Sequence, residues 1–450
     1  MKNLILLTLA LSALETTAKP FRNSARSAHR ASVERALLEV GPDGKGPGGA
    51  LCVGPGGKVA DVPGATPRRQ EMKSDVESIE GAGKVQKIKM RYGPYSVPNM
   101  MKKSVTNEGG ALWNCGDAEI EKPCEECTLL GLVAGLEYPN GTNANIDTGM
   151  WMHHMVAFTV GPGRWDPTCI DQPTSLPHFA VGTSPSQSER SFSSGNERTP
   201  LNMVSKKDAN GGNKAGYHLN KEDNYRFIVD LMNMNMDDRT VYLTITYDLV
   251  DGPLPKGWSN LKPVWFDVDQ CGMSEVPAAK QEGKYTLTAK PWTPNFEGEV
   301  VGMGSHLHDG GVNINVLIND KSICDSQAKY GENSQYIFKD SKNTMPGGEK
   351  VAEKHISSMS TCFYEGADAK KLDPSQSWGM TGDYDYQKFE GNLEGDGEQS
   401  GVMAIAIMFV KVAPGNVPMP AVKPAPAAAA PAAAAPAAAA PAAAAPAKSP

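Results

Sequence analysis

The chain has 450 residues, of which 40% are hydrophobic and 21% are charged, so most of it can bury a core. Its formal net charge of −7 argues against a nucleic-acid-binding protein, which needs a net basic face. Beyond the extreme N-terminus no apolar run approaches the roughly 18 residues that a membrane helix needs, and 46 glycines with 34 prolines favour strands and loops over long helices.

The N-terminus predicts export from the cell. Lys2 precedes the apolar stretch Leu4–Leu14, and small residues follow at positions 16–18, so residues 1–18 have the pattern of a secretory signal peptide. We therefore expect a secreted, extracellular protein whose eight cysteines are disulfide candidates. The N-glycosylation sequon at Asn140 agrees with this route because it falls in a turn-like stretch.

Two segments outside the core lack apolar periodicity. Residues 19–89 are dense in glycine and proline and predict a flexible leader or pro-region, with Arg68 and Arg69 as a processing site; an ordinary linker is the alternative. Residues 413–450 contain prolines separated by four alanines, a pattern that prevents a continuous helix and predicts a disordered, stalk-like tail. Such a tail suggests association with the cell wall or the cell surface.

Residues 90–412 form the predicted core. Apolar runs with the β-branched content and alternation of strands occur at Met150–Val160, Arg226–Met232, Thr240–Leu249, Val312–Ile318 and Val402–Val412. A stretch rich in proline and glycine at 251–262 divides this core into halves of similar length. The sequence therefore predicts an all-β fold of two tandem antiparallel β-sandwich domains, jelly-roll-like, at residues 90–255 and 256–412.

The cysteines predict disulfide bonds in both domains. Cys324 and Cys362 bracket a bridge in the second domain, and Cys52 and Cys271 are left over. The first domain offers candidates for two bridges of undetermined pairing, namely Cys115, Cys124, Cys127 and Cys169. A redox role for the CxxC motif at 124–127 is the alternative to a structural bridge.

Four of the eight histidines occur in two close pairs. Residues two apart on a strand share a face, so His306 and His308 can bind one metal ion together, with Asp309 as an acceptor for an imidazole N–H. His153 and His154 are adjacent, so both reach one ion only at a bulge, at a strand end or through different ring nitrogens. Ordinary structural or surface histidines are the alternative interpretation of either pair.

Methionines surround both histidine pairs, and the chain contains 20 of them. Most are expected to fill irregular parts of the core. Thioether sulfur is nevertheless a soft ligand that selects copper over zinc or calcium, and imidazole also binds copper. A site of two histidines and one methionine therefore points to copper.

The order of these motifs resembles a known family. HHM precedes an apolar strand, Cys271 opens the second half, HxH follows at 306–308, and a methionine lies in the last strand. This order is similar to that of the copper type II ascorbate-dependent monooxygenases, which include peptidylglycine α-hydroxylating and dopamine β-monooxygenases. The resemblance spans about 90–412 and is closer to secreted fungal and plant proteins with HHM and HLHDGG motifs. It implies two β-sandwich domains that each hold one copper ion beside an open cleft.

By this resemblance, His153 and His154 would hold the first copper, which accepts electrons from a reductant such as ascorbate. The third histidine of the family falls here on Met232, or on Asn233 with a slip of one residue. Met232 would make a softer site that favours Cu(I). The alternatives nearby in the sequence are His178 and His218.

The same resemblance assigns the second copper to His306, His308 and Met403, with Met408 as the weaker match for the thioether. This ion would bind dioxygen and hydroxylate a C–H bond of a small-molecule or peptide substrate. The predicted function is therefore that of a secreted copper-dependent monooxygenase with two copper ions. A copper-binding secreted or cell-surface protein without turnover is one alternative, and a zinc-binding or purely structural β-sandwich is another.

Overall fold

The structure, a computed structural model, describes residues 52, 54–172, 175–204, 212–339, 350–394, 397–412 and 417–420. The predicted signal peptide, residues 19–51 and most of the predicted tail lie outside these ranges. Helix in the described ranges is limited to α1 (Leu176–Ala180) and three 3-10 turns, at Ile146–Thr148, Ser334–Tyr336 and Gly366–Asp368. Strands make up about half of the described residues, so the all-β prediction is confirmed.

The strands range in length from two to 13 residues. Those before residue 252 are β1 (Gly57–Lys58), β2 (Arg69–Met72), β3 (Ser78–Ile79), β4 (Gly83–Lys84), β5 (Gln86–Val97), β6 (Ala111–Ile120), β7 (Cys127–Glu137), β8 (Met150–Val160), β9 (Ser188–Gly195), β10 (Leu201–Asn202), β11 (Ala215–Leu219), β12 (Asn224–Asn233) and β13 (Arg239–Asp251). Those after it are β14 (Ser259–Asp267), β15 (Glu275–Val276), β16 (Lys284–Thr288), β17 (Gly298–Leu307), β18 (Gly311–Ile318), β19 (Lys321–Tyr330), β20 (Ile356–Met359), β21 (Cys362–Phe363), β22 (Lys370–Leu372), β23 (Trp378–Asp385) and β24 (Val402–Lys411).

One large sheet runs through both halves of the sequence, in the strand order β1-β5-β13-β7-β11-β14-β24-β17-β21. The halves join at the parallel pair β11 and β14, where Ala215 lies opposite Ser259. A four-stranded sheet, β6-β12-β8-β9, belongs to the first half, and a five-stranded sheet, β16-β23-β18-β19-β20, to the second. The long predicted strands are thus present, and their pairing is almost entirely antiparallel. The predicted division at residue 255 stays a prediction.

Strand β24 contributes to the cores of both halves. Successive side chains of a strand point to opposite faces. Met403 and Ile405 therefore pack into the first hydrophobic core with residues of β5, β7 and β12, whereas Ala404 and Met408 pack into the second. The last described strand thus closes a core that is built mostly from the first half of the sequence.

The cysteine pairing extends beyond the predicted candidates. Cys324 pairs with Cys362 as expected, and Cys124 pairs with Cys127. The other two candidates do not pair with each other, because Cys115 bonds to Cys52 and Cys169 bonds to Cys271. Both residues that the sequence left over are therefore bonded. The Cys169–Cys271 bond joins the two halves, and β1 and β2 of the predicted leader pair with β5.

A buried ion network also joins the halves. It consists of Arg164, Asp166, Glu189, Arg190, Asp223, Lys262 and Asp267. Arg190 of β9 contacts Asp166 at 2.7 Å and Asp267 of β14 at 3.5 Å. Lys262 of β14 contacts Glu189 of β9. Buried charges are tolerated when each has such a partner, and these pairs fix the second half against the first.

Within the described residues, no helix is long and apolar enough to span a membrane.

Candidate metal centre

Two β-bulges surround Asp230, a buried acidic residue in the middle of β12. Asp230 pairs with His154 and the next residue, Leu231, pairs with Met152, so His153 is the extra residue on β8. On the other side of β12, Val229 pairs with Cys115 and Leu231 pairs with Leu112, which leaves Asn114 in a second irregularity with a positive φ of 39°. A bulge redirects a side chain. It therefore allows two adjacent histidines to approach the same point.

Polar partners fix both histidines of the first pair. His153 Nδ1 lies 3.2 Å from Asp230 Oδ1, and His154 Nε2 lies 2.9 Å from Asn114 Oδ1. The backbone N–H of Asn114 donates to Asp230 Oδ2 at 3.0 Å. The partners engage opposite ring nitrogens, so Nε2 of His153 and Nδ1 of His154 are the nitrogens turned away from them. The pair thus combines a bulge with the use of different ring nitrogens, which are two of the three ways in which adjacent histidines can reach one ion.

The second pair is held in the same manner from the other half of the chain. His308 Nδ1 donates to the carbonyl oxygen of Gly401 at 2.8 Å, and His306 Nδ1 lies 3.0 Å from Glu197 Oε2. The Nε2 atoms of both rings are buried and have no hydrogen-bond partner in the structure. Buried polar atoms are nearly always paired, so two such nitrogens require an explanation, and ligation is the chemical role that neutral imidazole nitrogen performs.

The two histidine pairs meet at one place. Ring centroids of His153 and His308 are 4.3 Å apart, and those of His153 and His154 are 5.1 Å apart. Each of these three side chains offers one nitrogen, and the three nitrogens lie within 4.8 Å of one another. His306 is next to this cluster, with its ring centroid 5.3 Å from that of His308. The donor set and its spacing suit a transition-metal ion such as copper.

An open cleft borders the cluster. His153, His306 and His308 line it together with Trp151, Met232 and Val402. The cleft thus combines nitrogen ligands with an apolar wall that a hydrocarbon group can contact. Pockets of this kind, apolar with a few converging polar groups, are typical small-molecule sites.

The electrostatic surroundings differ between the two sides of the cluster. Burial alone would lower the pKa of His153, but the hydrogen bond and charge of Asp230 raise it to about 9. Burial, followed by the charges of His153 and His306, lowers the pKa of His308 to about 3. His308 is therefore neutral at ordinary pH and ready to ligate, whereas His153 releases a proton when an ion binds.

The structure places the remaining predicted ligands at different distances from the cluster. Met232 lines the cleft, but Met403 is fully buried in the first core, on the same face of β24 as Ile405, which pairs with His306. His178 and His218, the alternatives for the third ligand, lie elsewhere: His178 contacts Ser175 and Asp166, and His218 contacts Thr128 and Glu126.

Sequence reasoning missed the residues that orient the rings. Asp230 and Glu197 accept from imidazole nitrogens, and Asp309 accepts from His355 at 2.6 Å instead of from a histidine of either pair. Gly195 leaves space for His306, because a β-carbon there would come within 2.2 Å of His306 Cε1. A lone carboxylate in the apolar run FIVDLMN was the one signal that could have revealed Asp230.

Comparison with known proteins agrees with a copper site. The chain is 29% identical over 322 residues to the probable copper-dependent oxygenase M1 of Phoma sp., covering 72% of each chain. It is 31% identical over 277 residues to the probable copper-dependent oxygenase clz3 of Cochliobolus lunatus, covering 62% of this chain and 77% of that relative. The chain belongs to this family of probable copper-dependent oxygenases.

Other comparisons add little to this family assignment. No family model matches the chain. Among solved structures, a peptide-N(4)-(N-acetyl-β-D-glucosaminyl) asparagine amidase is similar with a TM-score of 0.26 and 11% identity, over 78% of this chain and 97% of that one. A TM-score of that size supports no statement about fold or activity.

Proposed function

We propose that the protein is an exported copper-dependent monooxygenase in which His153, His154 and His308 hold a copper ion. The observation that carries the proposal is the convergence of their three nitrogens from both halves of the sequence. Three imidazoles alone would also suit zinc, but the membership in a family of probable copper-dependent oxygenases favours copper.

The proposed site differs from the arrangement that the resemblance implied, in which each histidine pair holds its own copper ion. The Nδ1 atom of His308 is occupied by the carbonyl oxygen of Gly401, so this ring has one nitrogen to offer and can serve only one ion. Because its ring lies close to that of His153, we assign His308 to the cluster of three histidines, which come from both halves of the sequence. A second ion, if bound, would depend on His306 and Met403 without His308.

Copper in this position would supply the redox chemistry that lets dioxygen oxidise a C–H bond, with electrons from a reductant such as ascorbate. The protein contributes the geometry. Asp230 and the carbonyl of Gly401 hold the two Nδ1–H groups, so that Nε2 of His153 and of His308 face the ion. Trp151, Met232 and Val402 would place an apolar part of the substrate beside these nitrogens.

Export is part of the same proposal. The N-terminal segment has the pattern of a signal peptide, and four disulfide bonds fit an oxidising compartment. Asn140 is exposed in a turn at Gly141, where an oligosaccharide transferase can reach it. The proline- and alanine-rich tail would place the protein near the cell wall or the cell surface.

Metal analysis of single variants tests the ligand assignment. We expect the purified wild type to hold one copper per chain, and both His153→Ala and His308→Ala to lose it. The matched control His218→Gln changes a histidine far from the cluster and should retain copper. Two coppers per chain, with each variant losing a different one, would restore the two-site arrangement. Full copper retention in both variants would show that the assignment is wrong.

Oxygen consumption tests turnover. After unbound copper has been removed, the copper-loaded wild type should consume dioxygen when ascorbate is supplied, and His308→Ala protein treated in the same way should not. Copper binding without any ascorbate-dependent oxygen consumption would favour the alternative of a copper-binding protein on the same scaffold.

A further inference from the structure

Two of the exposed methionines lie on loops that hydrogen bonds join to each other. Among the described residues, the exposed large hydrophobic side chains are Val59, Met72, Met101, Met236 and Met419. Met101 and Met236 are the most exposed of these, at 56% and 61%, and lie on two neighbouring loops. Methionine usually fills gaps in a core. Side chains this exposed do not have that role, and their sulfur atoms are accessible to a dissolved ion.

Short contacts tie the two methionine-bearing loops together. Met100 N–H donates to the carbonyl oxygen of Asn235 at 3.1 Å. Asp238 accepts from the amide N–H of Asn99 at 2.9 Å and from Lys102 Nζ at 2.6 Å. Each of these contacts is next to, or one residue beyond, one of the exposed methionines. The loops are therefore held side by side, which brings the backbone at Met101 close to the backbone at Met236 and forms one rim.

From this rim, methionines continue toward the histidines. Met232, Met234 and Met236 are spaced by two residues: Met232 lies on β12, Met234 directly follows its end, and Met236 lies in the bend beyond it. Met236 is exposed, whereas Met234 is 9% exposed and lines the cleft together with Met232. Met100 packs in the same small hydrophobic cluster as Met234 and Trp151.

The residues between these methionines anchor the segment from its other side. Asn233 Nδ2 donates to the carbonyl oxygen of Asp237 at 2.9 Å, and Asn235 Nδ2 donates to that of Thr148 at 3.1 Å. Met234 N–H donates to the carbonyl oxygen of Gly149, which continues the pairing with the start of β8. The asparagines thus hold the backbone while the thioethers remain available for a ligand.

We propose that Met101 and Met236 form a surface site that captures Cu(I), and that Met234 and Met232 pass the ion inward to the histidine cluster. This proposal rests on the proposed copper function. Thioether sulfur is soft and prefers Cu(I) to harder divalent ions. The ion would move by ligand exchange, one sulfur at a time and then to imidazole nitrogen, without a change of oxidation state. The site therefore predicts loading in the reduced form.

The rate of copper uptake tests the capture site. Copper-free full-length protein is mixed with Cu(I) presented as its bicinchoninate complex, and the loss of that complex is followed with time. The double variant Met101→Leu/Met236→Leu should load several-fold more slowly than wild type, yet reach the same final copper content. The control Met72→Leu/Met419→Leu removes two exposed methionines elsewhere and should load at the wild-type rate. Equal rates for both double variants would overturn the proposal.

A second measurement separates this proposal from the function of the histidines. Ag(I), a redox-inert substitute for Cu(I), is added to His153→Ala protein with isotope-labelled methionine methyl groups, and the NMR shifts are recorded. We expect the methyl signals of Met101 and Met236 to move although the inner site is damaged. If they do not move, the capture site is wrong. If they move but wild type holds no copper at the histidines, the capture site stands and the proposed function fails.

Discussion

The two halves of the molecule meet at two polar regions, and these differ in how their buried groups are satisfied. In the ion network, Arg190 contacts two carboxylates and Lys262 contacts Glu189. In the cleft, His306 and His308 also come from the second half, but each keeps a buried Nε2 atom without a hydrogen-bond partner. A region whose charges are paired holds the halves together, whereas a region with unfilled nitrogens is suited to receive a ligand.

The largest expected effect comes from breaking the ion network. Arg190→Leu would leave Asp166 and Asp267 buried without their cation, and removal of one partner from a buried pair typically costs about 3–5 kcal/mol. The free energy of unfolding from urea titration measures this loss. Lys221→Ala, which breaks an exposed contact with Glu125, should cost less than about 1 kcal/mol. If both variants lost the same free energy of unfolding, the ion network would not be what holds the two halves together.

On the cleft side, Asp230→Asn should affect copper binding more than folding. Loss of the carboxylate that orients His153 typically weakens metal binding by about 10–100-fold. Competition with a copper chelator measures the affinity. Glu197→Gln is the matched variant, because Glu197 contacts His306, which lies outside the cluster of three. An equally large loss for Glu197→Gln would instead place His306 among the ligands.

A smaller, pH-dependent effect is expected from His178, which lies against Asp166 of the ion network. Burial lowers the pKa of His178 to about 3, from an ordinary value of 6.5. Between these pH values the unfolded chain binds a proton that the folded chain does not, so the free energy of unfolding falls as pH decreases. The slope from this one group is at most about 1.4 kcal/mol per pH unit.

Urea titrations of wild type and His178→Gln from pH 7 to about pH 4 would measure that slope. The variant should be less stable at pH 7 but should lose stability less steeply on acidification. An unchanged slope would mean that His178 titrates alike in the folded and unfolded chains.

The smallest effect is expected outside both regions. Asn140 is exposed, and its side chain accepts hydrogen bonds within its own turn, from Thr142. Asn140→Gln in a secreting eukaryotic host should abolish a glycan, visible as a mobility shift, and leave copper content and stability nearly unchanged. Identical mobility of wild type and variant before deglycosylation would show that the sequon is not used.

The sequence predicted those parts of the structure that depend on local pattern. Alternating apolar runs predicted the strands, and the two close histidine pairs predicted His153 with His154, and His306 with His308, as ligands of two separate ions. It could not predict that His308 lies against His153, because that contact depends on how β8 and β17 are placed by the sheets around them. The same is true of the Cys52–Cys115 and Cys169–Cys271 bonds.

Local geometry also escaped prediction where it depends on a neighbouring strand. The bulge at His153 is defined by how β8 pairs with Asp230 of β12. From the sequence of β8 alone, a bulge was only one of the ways in which two adjacent histidines could reach one ion. Similarly, the need for glycine at position 195 comes from the ring of His306, which occupies the space of a β-carbon there. Pair contacts across sheets carry this information, and a single sequence does not display them.

The position of β24 has a consequence for biosynthesis. Met403, Ile405 and Phe409 complete a core most of whose other members lie before residue 252 and are therefore synthesised earlier. A nascent chain that ends before residue 402 would expose that unfinished apolar surface inside the secretory pathway. The first core is therefore complete only once β24 has been synthesised.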